Sequence, residues 1–142
     1  MNEGPQSTDA RRIMLIDDDP DDQLFFQDAI QLMHPDLACQ LASSCQEAFR
    51  QLENPPLPAF IFMDLNMPVM NGFDCLLYLK NQALYKEIPI IIFTTSKNLQ
   101  DVSRTRELGA SYFMTKPDDF NVLCKKLSRI ILGNGVEGLY VI

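Results

Sequence analysis

The sequence predicts an α/β protein with a five-stranded parallel sheet covered by five helices. Short apolar runs typical of buried strands alternate with segments whose apolar residues recur at helical spacing. A strand, helix, strand alternation requires crossover connections, and these produce a parallel sheet with both faces covered. The length of 142 residues fits one domain of ordinary size. The predicted strands are 13–16, 37–42, 59–63, 90–93 and 112–115.

The ends of the chain differ in composition from its middle. Residues 1–11 are rich in polar residues, glycine and proline and are predicted to form a flexible lead-in. The folded domain is expected over 12–132. The C-terminal tail, 133–142, is spaced by glycines but finishes with four apolar residues, 139–142. The sequence leaves open whether these four pack on the domain or join a partner.

Capping signals place the first two helices. Asp19 offers an N-cap oxygen, and Pro20 suits the first helical turn. Apolar residues at helical spacing then continue to His34, which precedes a proline. Ser44 starts the second helix, and the proline-rich segment 54–58 prevents its continuation.

The remaining three helices follow from similar signals. Residues 67–72 read as a loop before the third helix. Ser96 or Asn98 caps the fourth helix, which ends before Gly109, the residue type that most often follows a helix. The fifth helix is expected over about 118–132.

Composition argues against several classes of function. A formal net charge of −7 opposes direct binding to nucleic acid or anionic lipid. No apolar stretch reaches the ~18 residues of a membrane span, and the N-terminus lacks the features of a signal peptide, so a cytoplasmic protein with no membrane partner is predicted. The four cysteines form no CxxC pair and are predicted to be free thiols. They are Cys39, Cys45, Cys75 and Cys124.

Four of the predicted strands end in polar residues that share one kind of chemistry. Strand one ends at Asp17 and Asp18, strand three at Asp64, strand four at Thr94 and strand five at Lys116. Parallel strands place these residues on one edge of the sheet, where ligands bind in open α/β folds. Carboxylates are common Mg²⁺ ligands, and an aspartate can also act as a nucleophile toward phosphorus.

The same residues divide into metal ligands and phosphoryl-binding groups. Asp18 and Asp64, with Asp17 direct or through water, suit Mg²⁺. Asp64 is the candidate nucleophile because it stands alone after a central strand. Lys116 can neutralise phosphoryl oxygens, and Thr94 can donate its hydroxyl to one of them.

Other polar residues have ordinary structural explanations. Five further aspartates are assigned to helix capping and to the helix dipole and are left out of the site. They are Asp19, Asp21, Asp22, Asp118 and Asp119. His34 is assigned a structural or solvated role and is not a phosphodonor.

Taken in order, these motifs resemble the receiver domain of two-component response regulators. The resemblance spans about Arg12 to Leu132 and is of the stand-alone, chemotaxis-regulator type. It implies a flavodoxin-like, doubly wound sheet with strand order 2-1-3-4-5. The segments that carry it are 16–20, 63–72, 93–96, 109–110 and 116–117.

The resemblance also implies roles for individual residues. Asp64 would accept a phosphoryl group from a sensor histidine kinase or a histidine phosphotransfer protein, while Thr94 and Lys116 contact that group. Thr94 and Phe113 would form the switch. The implied ligands of Mg²⁺ are the side chains of Asp17, Asp18 and Asp64 and the backbone carbonyl of Asn66.

The implied output is a binding event. The surface formed by helix 4, strand 5 and helix 5 would change its preference for a downstream protein, whose identity is unknown, and a homodimer is left open. The protein would not be an enzyme beyond assisting its own phosphorylation and dephosphorylation. Asn71 stands where many members have aspartate, and Phe113 replaces a frequent tyrosine. Asn66 and Ser96 occupy the positions that tune phosphate lifetime.

Two alternatives come from other functional classes. A phosphatase of the haloacid dehalogenase type would turn over a small substrate, but such enzymes usually carry an acid two residues after the nucleophile, and Asn66 cannot transfer a proton in that role. A scaffold that works without phosphorylation would generally have lost the acidic residues or the lysine.

Overall fold

A computed structural model describes residues 8–142 as alternating strands and helices. The strands are β1 (Thr8–Ile16), β2 (Ala38–Ala42), β3 (Leu57–Met63), β4 (Ile90–Thr94) and β5 (Tyr112–Thr115). The helices are α1 (Pro20–Met33), α2 (Cys45–Leu52), α3 (Gly72–Lys80), α4 (Leu99–Glu107) and α5 (Phe120–Leu132).

The five strands form one parallel sheet in the order β2-β1-β3-β4-β5. This confirms the predicted fold class and strand order. The order reverses between β1 and β3, which lie side by side at the centre, so the residues that follow these two strands meet at the switch point of the sheet. β5 is an edge strand of the described sheet.

Both faces of the sheet are buried, because successive side chains of a strand point to opposite faces. Met14 and Ile16 of β1 pack in a cluster with residues of α2 and α3. Ile13 and Leu15 pack in a second cluster with residues of α1 and α5. Near-continuous apolar strands are therefore what this sheet requires, as the sequence indicated.

Side-chain caps begin every helix. Asp19 accepts hydrogen bonds from the first-turn N–H groups of α1, which confirms its capping role. Of the two residues proposed to cap α4, the structure selects Asn98. Ser96 instead donates to Asp101 in the first turn of that helix, with 2.7 Å between Oγ and Oδ2. The helix caps are Asp19, Ser44, Asn71, Asn98 and Asp119.

The first strand begins earlier than the sequence indicated. The predicted lead-in, 1–11, includes Thr8 and Asp9, and both pair with the start of β3. The register shifts between Asp9 and Ile13, so this polar extension is joined to the apolar strand through an irregularity and carries no apolar signal. Residues 1–7 of the predicted lead-in lie outside the described part of the chain.

The tail packs on the domain. Gly133, with φ 71, ends α5 in the left-handed region that glycine adopts at low cost. The chain then returns to β5, where Val141 forms a parallel bridge with Phe113. This contact is long-range, and the sequence alone did not locate it.

The cysteine prediction was half right. Cys39 and Cys124 are free thiols, as predicted. Cys45 and Cys75 form a disulfide, with 6.0 Å between their Cα atoms, so the prediction of free thiols was wrong for these two. They are 30 residues apart in sequence and meet because α2 and α3 pack on the same face of the sheet. None of the helices within residues 8–142 combines the length and the hydropathy of a membrane-spanning segment.

Candidate functional site

Three carboxylates meet where β1 and β3 end. Asp17 and Asp18 follow β1, Asp64 follows β3, and one carboxylate oxygen from each lies within 4.8 Å of the others. Asp17 and Asp64 are buried, whereas Asp18 is exposed. The pairing of β1 with β3 therefore places two buried anions and one exposed anion in a single group.

Lys116 follows β5, the edge strand two positions away from β3, and its side chain extends to this group of carboxylates. Its side chain is 9 % exposed, and its Nζ lies 2.9 Å from Asp17 Oδ2 and 3.1 Å from Asp64 Oδ2. A third carboxylate, that of Asp22, lies 2.6 Å from the same nitrogen. The ammonium group is thus shared among three acids.

Burial and charge act differently on the lysine and on its acidic partners. Burial alone would lower the pKa of Lys116, but the hydrogen bond to Asp22, the ion pair with Asp17 and the nearby negative charges outweigh it, so the pKa lies above its usual range. Burial raises the pKa of Asp17, although the Asp19 N–H and Lys116 oppose this effect. The two directions agree physically, because Lys116 faces several anions while Asp17 shares its cation and also lies near the Asp64 charge.

The donor set fits a hard divalent cation. With their carboxylates ionised, Asp17, Asp18, Asp22 and Asp64 carry four negative charges against the one positive charge of Lys116. Asp17 Oδ2 is buried and accepts no directed hydrogen bond from the described residues, although it is paired in charge with Lys116. Oxygen ligands with excess negative charge are what Mg²⁺ and similar cations bind. The implied fourth ligand, the carbonyl of Asn66, belongs to an exposed residue two positions after Asp64.

The loop after β3 fixes the Asp64 carboxylate. The N–H of Asn66 donates to Asp64 Oδ1 at 3.3 Å. The N–H of Gly72 donates to the Leu65 carbonyl at 2.9 Å, which closes the loop on the strand end. A Cβ atom at Gly72 would collide with the carbonyl oxygen of Asp64, so only glycine allows this approach. Sequence reasoning treated Gly72 merely as part of a loop, and its contact with the strand end becomes visible only in three dimensions.

Thr94 and Phe113, the two residues assigned to a switch, are both buried. Thr94 ends β4 and pairs in register with Thr115 of β5. Its Oγ1 accepts a long hydrogen bond, 3.4 Å, from the N–H of Ser96. Phe113 is 1 % exposed and lies in the core cluster on the α4 side of the sheet. The Thr94 hydroxyl therefore lies at the end of β4, next to the strand that Asp64 follows, and the Phe113 ring belongs to β5, one strand further away.

Asp22 was assigned to the dipole of α1 and left out of the site, and the structure shows that this assignment was incomplete. Its carboxylate lies within the first turn of α1 and also contacts Lys116 at 2.6 Å. Its position four residues after Asp18, on a helix that starts at the edge carrying the site, was the available signal. His34, by contrast, is hydrogen bonded to Ser128 Oγ at 2.9 Å, between α1 and α5, in keeping with the structural role assigned to it.

Comparison with known protein sequences identifies response regulators as relatives of this chain. A family model described as the response regulator receiver domain matches residues 13–128. The response regulator Rcp1 of Synechocystis sp. is 30% identical over 131 residues, which cover 88% of this chain and 89% of Rcp1. The chemotaxis protein CheY1 of Helicobacter pylori is 33% identical over 87 residues, covering 61% of this chain and 69% of that protein.

Solved structures agree with the sequence matches. The chemotaxis response regulator CheY4 of Vibrio cholerae superposes with a TM-score of 0.73 at 25% identity, covering 84% of this chain and 97% of that one. The Mn²⁺-bound form of Rcp1 also gives a TM-score of 0.73, at 27% identity, covering 91% of this chain and 94% of that one. In both cases more than nine tenths of the solved structure is covered.

Proposed function

Because the chain belongs to the response regulator receiver domain family, we propose that it is a phosphorylation-controlled switch of a two-component system, with Asp64 as the phosphoacceptor. The proposed donor is a sensor histidine kinase or a histidine phosphotransfer protein, and the proposed compartment is the cytoplasm. The observation that carries the proposal is the placement of Asp64, buried at the end of a central strand with its Oδ2 3.1 Å from Lys116 Nζ.

In the proposed reaction, a carboxylate oxygen of Asp64 attacks the phosphorus of a phosphohistidine. The new O–P bond forms as the P–N bond breaks, and the electron pair stays on the imidazole nitrogen of the donor. Lys116, already beside Asp64 Oδ2, neutralises charge on the phosphoryl oxygens, and the hydroxyl of Thr94 donates to one of them.

Mg²⁺ is the proposed cofactor, held by the side chains of Asp17, Asp18 and Asp64 and by the backbone carbonyl of Asn66. When bound, it supplies positive charge to the phosphoryl oxygens. The cluster of three carboxylates supports the assignment, and so does the Mn²⁺-bound form of the related Rcp1. The cation would also relieve the repulsion among acids that share Lys116.

The protein acts on itself and does not turn over a separate substrate. Water can hydrolyse the acyl phosphate of Asp64 to give inorganic phosphate and the free carboxylate. Asn66, two residues after Asp64, cannot exchange a proton and so does not supply the general acid that a phosphatase of this geometry would use. The product that matters is therefore the phosphorylated protein.

The proposed output is a change of surface. Thr94 turns toward the phosphoryl group, Phe113 follows, and the surface formed by α4, β5 and α5 alters its affinity for a downstream protein. Phosphorylation can shift this two-state equilibrium only as far as it interacts better with one of the states.

Phosphorylation by acetyl phosphate tests the proposal. In the presence of Mg²⁺, intact mass spectrometry should show one added phosphoryl group on the wild type, and Asp64→Asn should abolish it. Removal of divalent cations by EDTA should also abolish it. Asp36→Asn, which changes an exposed aspartate of a turn, is the matched control and should label like the wild type.

Two outcomes would contradict the proposal. Equal labelling of Asp64→Asn would place the phosphate elsewhere. Sustained hydrolysis of p-nitrophenyl phosphate over many turnovers would favour a phosphatase instead.

A further inference from the structure

The last four described residues form a cover strand, Leu139–Ile142, along the free edge of β5. The N–H of Phe113 donates to the Tyr140 carbonyl at 2.9 Å, and the N–H of Ile142 donates to the Phe113 carbonyl at 3.0 Å. The pairing is parallel and centres on Val141. The cover strand therefore occupies the N–H and the carbonyl of Phe113, which an edge strand would otherwise offer to another chain.

Two side chains anchor the cover strand. Tyr140 and Ile142 are both 8 % exposed and lie in the two core clusters on opposite faces of the sheet. The ring of Tyr140 lies 6.4 Å from that of Phe113, and its hydroxyl is 2.6 Å from Thr105 Oγ1. The cover strand thus spans the α4–β5–α5 surface and touches the residue assigned to the switch.

The attachment of the cover strand to the domain is limited in extent. Val141 and Leu139 are about half exposed, and two backbone hydrogen bonds join the cover strand to β5. Lys126 Nζ adds a bond of 3.2 Å to the Ile142 carbonyl. An element with few buried contacts and exposed hydrogen bonds opens at a lower free energy than the core strands do.

A chain of hydrogen bonds connects this anchor to the phosphoacceptor edge. Thr94 Oγ1 accepts from the Ser96 N–H at 3.4 Å, and Ser96 Oγ donates to Asp101 Oδ2 at 2.7 Å. Thr105 Oγ1 donates to the Asp101 carbonyl at 2.8 Å. Since the single proton of the Thr105 hydroxyl is used there, the hydroxyl of Tyr140 is the donor in their contact.

We propose that the cover strand is an intramolecular occupant of the α4–β5–α5 surface, locked by the Tyr140–Thr105 hydrogen bond and released when Asp64 is phosphorylated. This inference rests on the proposed function. Release exposes the edge of β5 together with the sites of Tyr140 and Ile142, so the output surface becomes available only after phosphorylation.

The longest hydrogen bond in the series from Thr94 to Tyr140 explains why phosphorylation would release the cover strand. The contact of Thr94 with Ser96 is the longest of the series, so it is the first to be lost when Thr94 turns toward a phosphoryl group. Ser96 also accepts from Thr115 Oγ1 through its carbonyl, so its displacement disturbs β5 as well as the start of α4. A shift of α4 then leaves the buried hydroxyl of Tyr140 without its partner, which is unfavourable.

Hydrogen exchange of the full chain tests this inference, with beryllium fluoride and Mg²⁺ as the phosphoryl mimic. The amide of Ile142 should exchange about tenfold faster once the mimic is bound, a typical size for coupling between two sites. The amide of Ile61, bonded to the Pro89 carbonyl at 3.0 Å inside the sheet, should be unchanged.

Tyr140→Phe removes the lock without removing the ring. It should speed exchange at Ile142 in the absence of the mimic and, by reciprocity, tighten binding of the mimic by a similar factor. Tyr85→Phe makes the same change next to α3, away from the hydrogen-bonded chain, and should leave both quantities as in the wild type.

The outcomes separate this inference from the proposed function. If ¹⁹F NMR shows beryllium fluoride bound but the protection of Ile142 is unchanged, the cover strand is not released, and the inference fails while the phosphoacceptor role stands. If neither acetyl phosphate nor beryllium fluoride modifies the wild type, the proposed function fails and the inference fails with it.

Discussion

The carboxyl edge and the lateral edge of the sheet are held by different kinds of interaction. At the carboxyl edge, where the strands end, Lys116 contacts the buried side chains of Asp17 and Asp64 and the partly exposed side chain of Asp22. At the lateral edge, β5 is covered by a short strand anchored by Tyr140 and Ile142, with two backbone bonds. The carboxyl edge carries several carboxylates that repel one another and share one lysine. The lateral edge is largely apolar, and its backbone groups at Phe113 are hydrogen bonded.

This difference indicates how the two edges respond to change. The carboxylates around Lys116 repel one another, so the electrostatic energy of this edge changes greatly when a cation or a phosphoryl group is added. The cover strand is stabilised by burial of two side chains, so it responds to geometry more than to charge. Under the proposed function, phosphorylation would therefore act through charge at the carboxyl edge, and the response would be a movement of the cover strand at the lateral edge.

Removing the positive charge of Lys116 should have the largest effect on the free energy of unfolding. Lys116→Ala leaves Asp17 and Asp64 buried without a positive partner, and breaking such a buried pair typically costs about 3 kcal/mol or more. Urea unfolding in EDTA should show this loss in the free energy of unfolding. Added Mg²⁺ should recover more stability in the variant than in the wild type, because it replaces the missing charge.

Lys125→Ala is the matched control for that experiment. Its side chain lies on the exposed side of α5, and its removal should change stability by less than about 0.5 kcal/mol. A loss of under about 1 kcal/mol for Lys116→Ala would mean that water already screens the acids, and the contrast between the edges would disappear.

Truncating the anchor of the cover strand should have an intermediate effect. Tyr140→Ala removes an aromatic side chain from the core, which usually costs about 3–5 kcal/mol, but the loss cannot exceed the free energy that holds the cover strand in place. We expect about 1–2 kcal/mol from urea unfolding, without a change in Mg²⁺ affinity.

Phe113→Ala provides the comparison, since Phe113 is the other ring of the same contact but belongs to β5 itself. It should show the full core penalty of about 3–5 kcal/mol. Equal losses for the two variants would show that the cover strand unfolds together with the domain and is not a separately releasable element.

The same contrast explains what the sequence could predict. The parallel sheet followed from alternating strand and helix patterns, and its strand order followed from the resemblance to receiver domains. The carboxyl-edge residues followed from their types, because Asp64 and Lys116 stand at strand ends that a parallel sheet places on one edge. Asp22 was missed because a first-turn acid already has a local explanation in the helix dipole. Tyr140 could not be located, since its partners Thr105 and Phe113 are 35 and 27 positions away and carry no local signal.

Neutralising Asp17 should have the smallest effect on the free energy of unfolding, and it should stabilise the protein, whereas the substitutions above destabilise it. Asp17→Asn removes a buried charge, so the metal-free protein should become more stable by roughly 1 kcal/mol in urea at neutral pH. The same change should weaken Mg²⁺ binding, because a ligand is lost. Ser96→Ala, outside the carboxylate cluster, should not reproduce the stabilisation.

The pH dependence of this difference decides whether burial or pairing dominates at Asp17. Burial raises its pKa in the folded protein above the ordinary 3.8, so folding favours the neutral acid and ionisation costs stability at pH values above the folded pKa. The advantage of the asparagine variant should therefore be greatest near pH 7 and should shrink as the pH falls through the folded pKa toward 3.8. If the variant is instead less stable at pH 7, the attraction to Lys116 outweighs burial, and the carboxyl edge is satisfied without a metal, as the lateral edge is.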